Sequence, residues 1–185
     1  WCELLITVLG LRGQVTVIFG NIFESAIDKQ QRHARGIHYT SEIDIMKIVS
    51  PTINRYWREK IEAANTLKEL NQLQLELQSY RVLDPACGSG NFLYLAYQQL
   101  KVIEQELLEK IASQRRSNTE QMQISFVTPQ QFFGMDINPF AVELARVTLT
   151  IARKIAIDNL GLNEPALPLD SLDKNIVCRD ALFEP

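Results

Sequence analysis

Three carboxylates and one glycine corner are the groups in this 185-residue sequence whose types and spacing could do chemistry. The run Val82-Leu83-Asp84-Pro85-Ala86-Cys87-Gly88-Ser89-Gly90-Asn91-Phe92 leads from a short apolar strand, through a Gly-Ser-Gly turn, into a helical pattern. Open α/β sheets bind ligands at the carboxyl ends of their strands. Glycines there let backbone approach a ligand without a Cβ clash, and the free N–H groups of a helix start add partial positive charge. Asp136 closes a second apolar run and Asp180 a third. Taken singly, each acid reads equally well as a solvated loop residue or a helix cap. Asp136-Ile137-Asn138-Pro139 has the composition of a cap. Three acids at three successive strand ends point instead to a shared rim. An acid at the place of Asp136 takes ribose hydroxyls, and a carboxylate at Asp180 suits an adenine amine.

The glycine corner excludes some ligands. The third residue after Gly90 is Leu93, so there is no GxGxxG, and no Walker lysine follows the glycines. Phosphate cradling therefore has little support. Asp136 lies 46 residues beyond Gly90, against about 20 in dinucleotide sites. A nucleoside without phosphate, carrying an amino-acid tail, fits these residues better. S-adenosyl-L-methionine is such a ligand. Cys87 lies inside the turn, where a small packed residue is expected rather than a nucleophile.

These residues must be positioned by a recognisable set of elements. Arg81-Val82-Leu83-Asp84, the run 132 to 136 and Asn175-Ile176-Val177-Cys178 read as strands. Between them, Leu93, Ala96, Leu100, Ile103, Leu107 and Ile111 form one helical stripe, and Val142, Ala145, Leu149, Ala152 and Ile155 another. Pro139 suits a first helical turn. Residues 113 to 123 and 163 to 174 read as loops. Upstream, a helix starts at Glu42, capped by Thr40 or Ser41, with Ile45, Ile48 and Val49 on one face. Pro51 is expected to kink or restart it. Residues 54 to 78 read as one long amphipathic helix. The order β-α-β-α-β predicts a parallel sheet with right-handed crossovers. The expected fold is α/β and Rossmann-like, with a partial parallel sheet. A mostly helical segment, 1–79, precedes the core, 80–185.

Composition narrows the class. Apolar residues make up 46% and charged residues 22%, as in an ordinary globular domain, and the formal charge of −3 provides no global basic field. Cys2, Cys87 and Cys178 are neither an even set nor a paired motif, which fits a reducing cytoplasm. With them, His33 and His38 make no metal constellation. The apolar stretch 4 to 23 is too interrupted for a membrane span. Lys29, Arg32 and Arg35 could meet phosphates, although a solvated face is the commoner reason for such a run. The sequence starts at Trp1 rather than Met and stops just after the third strand, as a fragment of a longer polypeptide would.

The motifs together resemble the amino-group DNA methyltransferases. Asp84-Pro85-Ala86-Cys87-Gly88-Ser89-Gly90-Asn91-Phe92-Leu93 is similar to their first cofactor motif, and Gly134-Met135-Asp136-Ile137-Asn138-Pro139 to their second. Asp180-Ala181-Leu182 resembles the third. Gly36-Ile37-His38-Tyr39-Thr40-Ser41 resembles the motif that precedes these in the γ-ordered group. Their order, with Gln31-Arg32 ahead of them, looks most like the methylase part of fused restriction–modification enzymes. The resemblance spans residues 19 to 183. It implies S-adenosyl-L-methionine held by Tyr39, Thr40, Asp84, Pro85, Ala86, Cys87, Gly88, Gly90, Asn91, Phe92, Asp136, Ile137, Asp180 and Ala181. Within that set Thr40 would hold the methionine carboxylate and Asp136 the ribose. It also implies double-stranded DNA as partner of the full-length protein, with an exocyclic amine such as adenine N6 as methyl acceptor. The family's Asn/Asp-Pro-Pro-aromatic tetrad does not occur in this sequence; Asn138-Pro139-Phe140 has a single Pro and lies at the second strand. No catalytic residue is therefore assigned. Methyltransferases of RNA, protein or small molecules share the first three motifs, and a non-catalytic nucleotide-binding domain would share the glycine corner.

Overall fold

The computed structural model describes residues 40–115, 125–160 and 172–183. Tyr39, the rest of its motif upstream, and the basic residues Lys29, Arg32 and Arg35 lie outside the described residues.

Ser41 caps helix α1 (Glu42–Val49), its hydroxyl oxygen accepting the Asp44 N–H at 3.2 Å. Pro51 does not break the chain's course. Lacking an N–H, it leaves the carbonyl four residues back without a donor. The backbone widens into a π-helical segment, Ser50–Arg55, and continues into α2 (Tyr56–Ala63). A wider turn keeps a strict four-residue spacing on one face, where the 3.6-residue period of an α-helix would let it drift. Ile45, Val49, Ile53, Trp57 and Ile61 follow that spacing and are all buried. Ile48, expected on the same face, falls off it and is exposed.

The single long helix expected over 54 to 78 is two helices. α3 (Leu67–Ser79) begins afresh after Ala64-Asn65-Thr66. Thr66 accepts the Glu69 N–H, and the Glu69 carboxylate accepts the N–H groups of Asn65 and Thr66 at 2.9 Å each. This capping box satisfies donors that a helix start would leave bare. Leu70, Leu73 and Leu77 are buried as the periodicity requires.

Strand β1 (Val82–Asp84) leads into α4 (Asn91–Gln114), which runs through the Ser113 and Gln114 expected in a loop. A short 3₁₀ turn, Pro129–Gln131, enters β2 (Phe132–Asp136); α5 (Pro139–Leu160) follows, then β3 (Ile176–Cys178). The three strands are parallel, in the order β1-β2-β3. Stepping in one direction through right-handed crossovers puts α4 and α5 on the same face of the sheet, and the two helices pack on each other there. Val82, Phe132 and Ile176 point into that layer and are buried, whereas Leu83 on the other face is 55% exposed. One continuous apolar cluster runs from Ile45 and Trp57 through α3 and α4 to Ile176.

Candidate cofactor site

The site grows from the carboxyl edge of the sheet. Pairing of Asp84 with Gly134 and of Asp136 with Cys178 carries each successive acid, Asp84, Asp136 and Asp180, two residues further along the sheet. The Cys87 N–H donates to Met135 O at 2.8 Å, and the Arg179 N–H to Asp136 O at 3.0 Å. These bonds tie the glycine corner and the chain after β3 to the end of β2. Asp84, Cys87, Gly88 and Asp136 are thereby gathered at one place.

The glycines do different work. Gly90 has φ +84°, and a Cβ there would lie 3.0 Å from the Ala145 Cα. Its side-chain-free backbone lets the start of α4 press against α5. Gly134 is likewise needed for packing, since a Cβ would meet Cys87 Sγ at 3.0 Å and Leu93 Cδ1 at 3.1 Å. Gly88 has φ +52°, and a Cβ there would meet nothing within 4 Å. Packing does not explain Gly88; its left-handed backbone does, and it borders open space. The corner is unblocked at that point.

Asp136 closes the corner. Its Oδ2 accepts the Gly88 N–H at 3.0 Å and its Oδ1 the Asn138 N–H at 2.8 Å. Each carboxylate oxygen has a second lone-pair direction, so capacity for ligand hydroxyls remains. Asn138 in turn caps α5, accepting the Phe140 N–H on Oδ1 at 3.0 Å ahead of Pro139 in the first turn. The cap chemistry read in this segment thus belongs to Asn138, and Asp136 faces the glycines.

Asp84 accepts the Ala86 N–H at 3.1 Å. Burial pushes its carboxyl above the ordinary range, the Ala86 amide pulls it back, and the neighbouring Asp136 charge raises it again. Cys87 is buried, and burial with the Asp84 and Asp136 charges pushes its thiol up to about 12. A thiol in that state is not a nucleophile. Asp180 lies just beyond β3, exposed, its Oδ1 accepting the Leu182 N–H at 2.9 Å. Pro85, Ala86, Ile137 and Ala181 are exposed along the rim, Phe92 is half-buried, and Asn91 is buried with an Oδ1 that has no hydrogen-bond partner.

Thr40 is exposed next to the Ser41 cap. α1 packs on α4, and Tyr94, in the first turn of α4, is buried, its hydroxyl pKa raised by burial and then by the Glu42 charge.

The segment that holds this corner matches a known protein family. Residues 59–184 match the family described as the DNA-methyltransferase domain of MmeI. The chain belongs to this MmeI methyltransferase family. A solved structure of the type IIL restriction–modification enzyme MmeI in complex with DNA superposes with a TM-score of 0.75 at 31% identity, over 89% of this chain and 23% of that one. DNA methyltransferase A of Bacillus subtilis (strain 168) is 30% identical over 172 residues, 89% of this chain and 19% of its own length. The adenine-specific methyltransferase BrxX of Escherichia coli O9:H4 (strain HS) is 30% identical over 117 residues, 60% of this chain and 9% of its own. The chain spans less than a quarter of the length of these relatives. As an MmeI-family domain it has the α/β Rossmann-like methyltransferase fold, and the family's methyl donor is S-adenosylmethionine. No helix among the described residues is long and apolar enough to cross a membrane.

Proposed function

We propose that this chain is the S-adenosyl-L-methionine-binding part of a site-specific DNA methyltransferase of a restriction–modification system, acting on adenine N6. The observation that carries the reading is Gly88. Its left-handed backbone borders open space and donates its N–H to Asp136, at the carboxyl edge of a parallel sheet. That corner fits a nucleoside with an amino-acid tail. Gly88 leaves room for the ligand's approach. Asp136, already oriented by the Gly88 and Asn138 amides, would accept ribose hydroxyls. Asp84 would oppose the positive charge of the amino-acid end. Thr40, at the start of α1, would meet the carboxylate, and Ile137 and Asp180 would border the adenine. Bound S-adenosylmethionine supplies a methyl group made electrophilic by its sulfonium. The protein's part is then to align acceptor and methyl. A base amine reaches such a site only after leaving the duplex stack. Double-stranded DNA is accordingly the proposed partner of the full-length protein, in the cytoplasm. The adenine specificity of the BrxX relative and the γ-type motif order both support adenine as the target.

Calorimetry of the 185-residue chain with S-adenosylhomocysteine, NAD and ATP tests the cofactor. Binding of S-adenosylhomocysteine alone is expected, and Asp136→Ala should weaken it tenfold or more, about 1.4 kcal/mol. Tight binding of NAD alone would overturn the reading. For the target base, DNA treated with the full-length protein is digested to nucleosides and analysed by mass spectrometry. N6-methyladenine is expected; N4-methylcytosine would refute the adenine assignment.

A further inference from the structure

The stagger of the strand-end acids depends on register, and hydrophobic patterning specifies that register only in part. A one-residue slip sends every side chain to the opposite face, which patterning penalises through the difference in polarity between the faces. That difference is small in these strands, and Gly134, whose place against Cys87 and Leu93 admits no side chain, resists a slip of β2 by packing. β1 offers Val82 to the helices and Leu83 to the other face, β2 offers Phe132 and Phe133, and β3 offers Ile176 and Val177. Apolar residues alternate with apolar residues. β1 and β3 are also only three residues long, so few ladder bonds resist slippage.

Side-chain amides at the opposite, amino edge provide what the pattern lacks. Gln131 is buried directly before β2. Its Nε2 donates to Leu77 O at 2.8 Å and to Tyr80 O at 3.1 Å, the carbonyls leading into β1. Its Oε1 accepts the Thr128 N–H at 2.7 Å, which holds the side chain in place. Asn175, directly before β3, does the same one strand over. Its Nδ2 donates to Gln130 O at 2.8 Å and to Phe132 O at 3.2 Å, while its own carbonyl accepts the Gly134 N–H at 2.9 Å. Each amide spans from the entry of one strand to the entry of its neighbour.

We infer that Gln131 and Asn175 are positioning residues that lock the register of the sheet from its amino edge, and so set where Asp136 meets the Gly88 amide at the carboxyl edge. The inference rests on the cofactor reading only for its functional consequence. A slip of β2 against β1 by one residue would carry Asp136 off the glycine corner. No change within the site itself is required.

Two readouts on the 185-residue chain test this, one of them independent of ligand. In Gln131→Met, which keeps length but loses both polar atoms, exchange of the Gly88 amide should accelerate at least tenfold relative to α4 amides such as that of Leu100. The second readout is a cycle with Asp136→Asn. Gln131→Met should weaken S-adenosylhomocysteine about fivefold in the parent chain and have no further effect in the Asp136→Asn background. Uniform acceleration of Gly88 and Leu100, or an equal loss in both backgrounds, would mean general destabilisation and would overturn the inference. If Gln131→Met does not fold, Gln131→Asn, too short to span both carbonyls, provides the same comparison. Selective loss of Gly88 protection in a chain that binds no S-adenosylhomocysteine would uphold the register lock while refuting the cofactor reading.

Discussion

At the scale of single residues, the proposed cofactor role of the corner would come at a cost in stability, and Asp84 illustrates it. Burial and the nearby Asp136 charge raise its pKa above the ordinary 3.8. A carboxyl with a raised pKa binds its proton more tightly in the folded chain than in the unfolded one. Its contribution to stability is full below about pH 3.8 and is lost as pH rises through the raised value. Asp84→Asn keeps an acceptor for the Ala86 N–H and removes the charge. It should therefore raise the melting temperature at pH 7, with the gain shrinking as the pH falls towards 3.8, and weaken S-adenosylhomocysteine about tenfold. A variant that melts lower at pH 7 would contradict the burial argument. The two left-handed glycines separate in the same way. Gly90→Ala drives a methyl into the α5 backbone, so thermal unfolding should register a loss of about 2 kcal/mol or more. Gly88→Ala meets no protein atom. It should lose only the strain of a left-handed alanine, about 1 kcal/mol, while calorimetry shows a larger loss of cofactor affinity. Equal stability losses at the two positions would remove the distinction.

At the scale of elements, what was legible depended on the range of the interaction. The strand–glycine–helix unit is local, and residues 82 to 92 announce it by composition alone. The break between α2 and α3 was legible too, in Thr66 and Glu69 three residues apart, but the continuous leucine spacing masked it. The ion pair of α4 is local, three residues apart on one helix, but nothing local marked it as buried, because the groups that close over it come from residues 125–127. Lys101 Nζ lies 2.7 Å from Glu104 Oε2, both side chains 2% exposed. Glu104 Oε1 also accepts the N–H groups of Phe126 and Val127, at 2.5 and 2.8 Å. One charged side chain thus fixes the backbone that enters the β2 turn. Lys101→Met should leave a carboxylate buried without the ammonium beside it and cost about 3–5 kcal/mol in urea unfolding. A loss below about 1 kcal/mol would mean that the amides alone hold Glu104.

At the scale of the whole molecule, the change from helices to alternating strands near residue 80 reads as a boundary in the sequence, whereas the packing crosses it. Trp57 of α2 is buried edge-on against Tyr80, the residue leading towards β1, with ring centroids 5.4 Å apart. Gln131 reaches back to Leu77 and Tyr80, and Arg58 of α2 pairs with Glu106 of α4 at 2.7 Å. Such contacts join residues 23 to 54 apart in sequence, a range at which periodicity says nothing. If the apolar cluster is one cooperative core, the helices cannot unfold while the sheet persists. Replacing Trp1 by Phe leaves Trp57 as the sole tryptophan and a reporter of the helical half. Urea unfolding followed by its fluorescence should coincide, in midpoint and slope, with unfolding followed by exchange of the β2 and α4 amides. A fluorescence transition at lower urea would divide the chain at residue 79 into two folding units. Thr40 would then ride on a helix able to detach from the glycine corner it is proposed to serve.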